Sequence, residues 1–261
     1  MSHNVTRQLH PIIPGRIVRT EAMRIPGFPA TYPLTIYVPP AYDSSRHHAL
    51  PVAYMFDGQN LFGDEGSHSG GWHIHEALNR RAAQNKAVPL VIGMHHGGVS
   101  RMSEFSPWPI SEFEGQGGAF MEWVVSTLMP KVNSEWRTLT GPENTMLGGS
   151  SLGGLMSLYG FTAHPQTFGK VLAMSPSVWV NDGELIRYFA SRPLPEVRNV
   201  YIDSGGKELR TLTWCKSLVD HLTERGMVPD GDLQWRLDEA GGHNEPTWRR
   251  RLPLALRYLY G

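Results

Sequence analysis

An α/β fold, with a mostly parallel central sheet and helices on both faces, is what this chain predicts, and three observations carry that reading. From residue 51 onward, short apolar runs bounded by Gly, Pro or Asp alternate with longer stretches of helical spacing. Those runs are apolar throughout rather than alternating with polar residues, which suits strands covered on both faces by crossover helices. The 261 residues, 40% of them hydrophobic, suffice for one sizeable core, so residues 1–261 read as a single domain.

The elements follow in order. Residues 16–25 and 34–38 (LTIYV) are β-rich runs, the second closed by Pro39 and Pro40, which cannot continue a central strand. They place N-terminal strands, within residues 1–40, at the edge of the sheet. Residues 51–56 (PVAYMF) form a buried strand stopped by Asp57 and Gly58. A helix over 72–83 leads to a strand at 88–94, and a helix over 120–128 is expected to stop near Pro130. A strand at 145–148, a Gly-Ser cluster and a helix at 155–161 come next. Strands at 170–174 and 197–203, a helix at 211–225 ended by Gly226, a strand at 232–237 and a helix at 248–260 complete the alternation.

Charge and cysteine usage narrow the function classes. Lys+Arg and Asp+Glu balance at 24 each, so no basic field exists to hold a phosphate backbone and no nucleic-acid role is expected. Residues 1–16 lack the apolar stretch of a signal peptide, and no window approaches about 18 uninterrupted apolar residues. A cytoplasmic protein without a membrane partner is the expectation. Cys215 stands alone, which excludes an internal disulfide and a Cys-based zinc site.

The informative segment is Gly149-Ser150-Ser151-Leu152-Gly153, which fits Gly-x-Ser-x-Gly around Ser151. In a chain with 28 glycines such a pentapeptide also fits a silent Gly-rich turn. Its context favours chemistry: it falls between a predicted strand and a predicted helix, where a nucleophile elbow belongs. The glycines let neighbouring backbone pass close, and the following helix points its N-terminus at a developing anion. Ser150 lacks glycines at those offsets and reads as structural. A serine hydroxyl needs a base. With the chain order Ser, acid, His, the base falls late, in a loop after the last strand, which selects His243. His164 comes too soon, and His221 lies within a predicted helix. The acid lies between, in Asp203-Ser204-Gly205-Gly206-Lys207-Glu208; Glu208 is preferred and Asp203 is the alternative, against a salt-bridged surface loop.

At these residues the chain resembles the putative-esterase (esterase D-like) family of α/β-hydrolases, which includes siderophore (enterochelin-type), feruloyl and acetylxylan esterases. The resemblance runs from about Leu34 to the C-terminus. It rests on residues 54–62 (YMFDGQNLF), the elbow, residues 175–179 (SPSVW), and Gly242-His243-Asn244-Glu245 followed by Trp248. It implies an α/β-hydrolase fold, a small-molecule ester substrate, and Ser151, Glu208 and His243 as a triad that needs no cofactor. Asp57-Gly58-Gln59 stands where many α/β-hydrolases carry His-Gly-x, so the backbone N–H of Gln59 would join that of Leu152 as an oxyanion hole. An Asp at that place must point away from an oxyanion, and Asp57 reads as structural.

On the substrate side, Arg101 either grips a carboxylate or catecholate oxygen or pairs with Glu104 to brace its loop. Trp72, Trp108 and Trp179 offer an aromatic wall, against plain packing for each. The pairs His47-His48, His73-x-His75-Glu76 and His95-His96 invite a metal. However, His73 and His75, two apart at a helix start, are expected to diverge, no His-Glu-x-x-His is present, and no metal is expected. The leading function is a serine carboxylic-ester hydrolase. An acyltransferase on the same triad and a catalytically silent binding protein are the alternatives.

Overall fold

The computed structural model describes residues 13–44, 46–67 and 69–261. The chain opens with β1 (Arg16–Arg19), a pair of two-residue strands, β2 (Met23–Arg24) and β3 (Thr31–Tyr32), and then β4 (Leu34–Val38). It continues through α1 (Pro40–Ser44), β5 (Val52–Phe56), α2 (Ile74–Ala82), β6 (Leu90–Met94), α3 (Arg101–Glu104), α4 (Gly117–Trp123) and α5 (Met129–Glu135). The second half holds β7 (Thr145–Ser150), α6 (Leu152–Ala163), β8 (Lys170–Met174), α7 (Glu184–Ala190), β9 (Asn199–Gly205), α8 (Leu209–Glu224), β10 (Leu233–Asp238) and α9 (Glu245–Tyr260).

Among the described residues eight strands form one sheet in the order β1-β4-β6-β5-β7-β8-β9-β10. Pairing is antiparallel from β1 to β6 and parallel from β6 to β10. The pleat sends alternate residues to opposite faces. Tyr54 and Phe56 enter a core with Phe120, Leu155 and Leu218, from α4, α6 and α8. Ala53 and Met55 enter a second core with Ile74, Leu78, Leu252 and Leu256, from α2 and α9. Each fully enclosed Leu, Ile, Phe or Met among them contributes about 1.5–3 kcal/mol of transfer free energy. Among the described residues no helix is long and apolar enough to cross a membrane.

Two expected boundaries are corrected. The run 16–25 is not one strand, because Thr20 takes over the ladder: its N–H donates to Leu34 O (3.0 Å) and its Oγ1 accepts from Leu34 N–H (3.1 Å). The chain then leaves the sheet, and β2 and β3 pair apart from it. Within residues 1–40, β1 is the edge strand and β4 the next one in, while residues 1–12 lie outside the described residues. The helix expected to stop near Pro130 instead runs on to Glu135. Residues 124–128 widen into a π segment, and Pro130 falls in the first turn after it, where the ladder restarts and a missing N–H is tolerated.

The topology also fixes where a ligand belongs. From β5 the chain crosses to β6 on one side, and from β7 to β8 on the other. The carboxyl ends of β5 and β7 therefore open a crevice at a topological switch point. Residues 57–60 leave β5 there, and Ser151 leaves β7 beside them.

Candidate active site

Between the last residue of β7 and the first of α6 stands one residue, Ser151, at φ 56° and ψ −122°. An L side chain reaches this conformation only under strain, so the surroundings must hold it. Ser151 N–H donates to Met174 O of β8 (3.0 Å), and Ser151 O accepts from Ser177 N–H (3.0 Å). A Cβ on Gly149 would lie 2.8 Å from the Gly153 carbonyl carbon, so the turn closes only with glycine at 149. The Ser151 hydroxyl lies 3.2 Å from Ser177 Oγ, its hydrogen-bond partner in this structure.

His243 sits in the loop between β10 and α9, and its Nδ1 lies 2.5 Å from Glu208 Oε2. Trp248 meets the imidazole edge to face, with ring centroids 5.1 Å apart. Glu208 Oε1 accepts from Ser175 Oγ–H and from Gly205 N–H, both at 2.8 Å. Burial alone would raise the Glu208 pKa, but the hydrogen bond and charge of His243, with those two donors, outweigh it and hold it below the ordinary carboxylate range. Asp203, the alternative acid, is fully buried and faces elsewhere. It accepts from Ser175 N–H (3.0 Å) and Tyr201 O–H (3.3 Å), and Arg251 Nη1 lies 3.3 Å away. Burial pushes its pKa up to about 7 against the pull of Arg251. Ser151 and His243 line one cavity of about 300 Å³, with Glu208 hydrogen-bonded behind the imidazole.

The other wall of this cavity is the one-turn 3₁₀ helix Gly58–Asn60, entered through Asp57 at φ 57°. A Cβ on Gly58 would fall 2.4 Å from the backbone of Gly93, so only glycine lets the turn lie on β6. Gln59 and Leu152 each stand in the first turn of a helix, where backbone N–H groups have no intrahelical acceptor. Asp57 is gripped by Arg101, whose Nε and Nη2 donate to Oδ1 (2.6 Å) and Oδ2 (2.8 Å). Burial works against the Arg101 charge, but Asp57 more than offsets it and the pKa is raised. Of the two readings of Arg101, the bracing Arg101–Glu104 pair does not form. Glu104 is buried and accepts instead from Tyr32 O–H (2.5 Å), Ser100 Oγ–H (2.6 Å) and Gly97 N–H (2.8 Å).

The aromatic wall is also corrected. Trp72 is 2% exposed and packs on Trp248, with centroids 6.0 Å apart. Trp108 meets Tyr159 and Tyr188 at 5.7 and 5.6 Å, and Trp179 lies under Arg210 at 4.1 Å. No two of the three rings touch, because each is claimed by a different neighbour.

The histidine pairs depart from expectation in one case. His73 is not helical: it caps α2 at φ 48°, so the helical angle between positions 73 and 75 does not apply. The two rings come to 6.0 Å with a 34° tilt instead of diverging. His95 and His96 do separate, His95 Nε2 to Thr35 Oγ1 (2.8 Å) and His96 to the cavity. Burial lowers the pKa of both, that of His95 to about 4.

Several residues at the site carry no signal in the Gly-x-Ser-x-Gly pattern. Asn60 and Glu245 meet across the cavity, Asn60 Nδ2–H donating to Glu245 Oε1 (3.3 Å). Ser175, at φ 44°, joins the carboxylates: besides serving Asp203 and Glu208, its Oγ accepts from Trp248 Nε1–H (3.1 Å) and Arg251 Nη2–H (3.0 Å). Ser175 and Ser177 belong to the run 175–179 that carries the resemblance, which assigned neither a role; both follow the carboxyl end of β8, next to the elbow strand.

Residues 27–259 match the family described as "Putative esterase". A Bacillus subtilis (strain 168) protein, described as "Uncharacterized protein YbbA", is 26% identical over 243 residues, which cover 87% of this chain and 92% of that relative. The iron(III) salmochelin esterase of Escherichia coli O6:H1 (strain CFT073) is 28% identical over 242 residues, 87% of this chain but only 54% of that relative's length. Among solved structures, the enterobactin esterase of Shigella flexneri superimposes with a TM-score of 0.73 at 20% identity, over 95% of this chain and 60% of its own. With the sheet order above, that likeness shows the α/β-hydrolase fold.

Proposed function

Since the chain belongs to the putative-esterase family, we propose that it is a serine carboxylic-ester hydrolase working through a Ser151–His243–Glu208 triad and an acyl-enzyme. The 2.5 Å contact between His243 Nδ1 and Glu208 Oε2, behind a cavity that also holds Ser151, carries this reading. Ionised Glu208 accepts the Nδ1–H and so leaves the Nε2 lone pair of His243 facing the cavity. Ser151 Oγ turns about χ1 from Ser177 toward that nitrogen, gives it the proton and attacks the ester carbonyl carbon. The tetrahedral oxyanion accepts from Leu152 N–H and Gln59 N–H. As the intermediate collapses, His243 returns the proton to the departing alkoxide, releasing the alcohol and leaving the acyl group on Ser151. Water, deprotonated by His243, then hydrolyses that ester and regenerates the hydroxyl.

Arg101 has a positioning role in this scheme. Two of its donors and its charge are taken by Asp57, so it holds Asp57 away from the oxyanion and fixes the Gly58–Asn60 turn that presents Gln59. The substrate class is a small-molecule ester; the salmochelin and enterobactin esterases put tri-catecholate siderophore esters in the panel to be assayed, beside feruloyl, acetyl-sugar and short-chain esters. The deciding experiment is active-site labelling. A fluorophosphonate should add once, at Ser151, and Ser151→Ala should abolish both labelling and p-nitrophenyl acetate turnover. Undiminished turnover by that variant would sink the mechanism.

A further inference from the structure

We propose that His73, His75 and Glu76, at the amino end of α2, form a binding site for a divalent first-row transition metal, zinc being the representative ion. One nitrogen of each imidazole and one carboxylate oxygen of Glu76 lie within 4.8 Å of one another. Donors about 2.0–2.1 Å from a shared tetrahedral zinc stand roughly 3.4 Å apart, so the three must draw together by no more than about 1.4 Å to share an ion.

The proton arrangement points the same way. His73 Nε2 lies 2.8 Å from Asp64 Oδ1. An ionised carboxylate only accepts, so Nε2 carries the hydrogen and the free lone pair is on Nδ1. That Nδ1 faces Glu76 Oε1 at 3.5 Å, one acceptor against another. A proton or a metal ion relieves that opposition. His75 adds a nitrogen to the same group, which the Asp64–His73–Glu76 chain of contacts does not itself use. The Nδ1 of His75 is sealed from solvent and has no hydrogen-bond partner among the described residues. Asp64 behind His73 reproduces the carboxylate–histidine–metal arrangement that fixes a ligand's tautomer. Glu76 Oε2 is held by Arg249 Nη2–H (2.9 Å), which leaves Oε1 for the ion.

Arg249 and the positive end of α2 oppose a cation here, and the two carboxylates of Asp64 and Glu76 offset them. The left-handed backbone of His73 (φ 48°) is what turns its ring toward His75. Glu76 is partly exposed, so an ion reaches the site from solvent. Asp64 belongs to the segment whose Gly66 and Ser69 border the catalytic cavity, so a bound ion would pin that segment to α2.

The test uses the full chain after dialysis against a chelator. Calorimetric titration with Zn²⁺ alone should give one equivalent, and Co²⁺ should give visible bands of a low-coordinate nitrogen–oxygen site. Glu76→Gln and His75→Ala should each weaken the ion at least about tenfold, and Asp64→Asn by about 10–100-fold through the tautomer. His48→Ala should leave it unchanged. Circular dichroism checks that each variant folds, and the conservative Glu76→Gln keeps the test open should His75→Ala unfold. Absence of a stoichiometric site, or binding unchanged in the folded Glu76 and His75 variants, overturns the proposal. Because the readout is metal binding, the outcome is independent of ester turnover.

Discussion

Replacing Glu208 by glutamine keeps the shape of the side chain and removes only its charge and one acceptor, and the hydrogen bonds around it dictate how the amide must sit. Oε1 receives two donors, Ser175 Oγ–H and Gly205 N–H. The Ser175 proton has no alternative direction, since its oxygen already accepts from Trp248 Nε1–H and Arg251 Nη2–H. The amide oxygen therefore takes the Oε1 place, and the NH₂ takes the Oε2 place, 2.5 Å from His243 Nδ1. There it donates, which forces the imidazole proton onto Nε2, and Ser151 loses its base. In the best-studied serine triad the equivalent amide costs up to about 10⁴ in kcat, or about 5.4 kcal/mol at 1.36 kcal/mol per tenfold. For Glu208→Gln we expect a loss of at least about 10² in kcat, with KM little changed. Asp203→Asn should lose less than about tenfold, because Asp203 meets Ser175 N–H, Tyr201 and Arg251 and not the imidazole. Steady-state kinetics of both variants on p-nitrophenyl acetate, with far-UV circular dichroism to check folding, compare them directly. The reverse ranking would transfer the role to Asp203, and losses under tenfold in both would refute a carboxylate-oriented histidine.

Three further outcomes follow from the same geometry. Ser175→Ala leaves Trp248 Nε1–H and Arg251 short of an acceptor and Glu208 short of a donor, so it should destabilise by about 1–3 kcal/mol in urea titration; an unchanged midpoint would mean the network is idle. Gly149→Ala drives a Cβ to 2.8–3.0 Å from three backbone atoms of Gly153; a cost of about 1–3 kcal/mol and a lower kcat are expected, and a variant with wild-type melting would contradict the tight turn. Asp203, raised to about 7 in the fold from an ordinary value near ~3.9, binds its proton more tightly folded than unfolded. Its contribution to stability is therefore full below pH ~4 and lost as pH rises through about 7. Asp203→Asn should flatten that decline in urea midpoints over this window, and an unaltered slope would remove Asp203 as its source.

What the sequence disclosed, it disclosed through local pattern. Runs such as 34–38 and 170–174 became β4 and β8 without change, since an apolar stretch between turn residues has few other uses. The approach of Glu208 to His243 was legible because both follow strands on the same edge of a parallel sheet, so chain order alone brings them near. The partner of Arg101 was not legible: Asp57 lies 44 residues away, and Glu104 looked eligible by proximity in the chain. Glu104 was claimed by Tyr32, 72 residues distant, a contact that depends on how β3 folds back. Trp72 read as a free aromatic because nothing local shows that Trp248 of α9 covers it. The convergence of His73 and His75 was missed for a backbone reason, since one left-handed residue replaced the helical spacing on which their divergence rested.

The conformation of Ser151 has a consequence for how such a sequence can drift. A non-glycine residue at φ 56° and ψ −122° stores on the order of 1–3 kcal/mol of backbone strain, which glycine at the same position would largely relieve. If Ser151 is the nucleophile proposed above, stability and turnover pull position 151 in opposite directions. A lineage released from the need for this hydroxyl would find glycine there the more stable choice, and the whole elbow could then be kept as scaffold while its chemistry was discarded. The first step of decay would make the fold sturdier, and an inactive descendant should outlast its parent on heating.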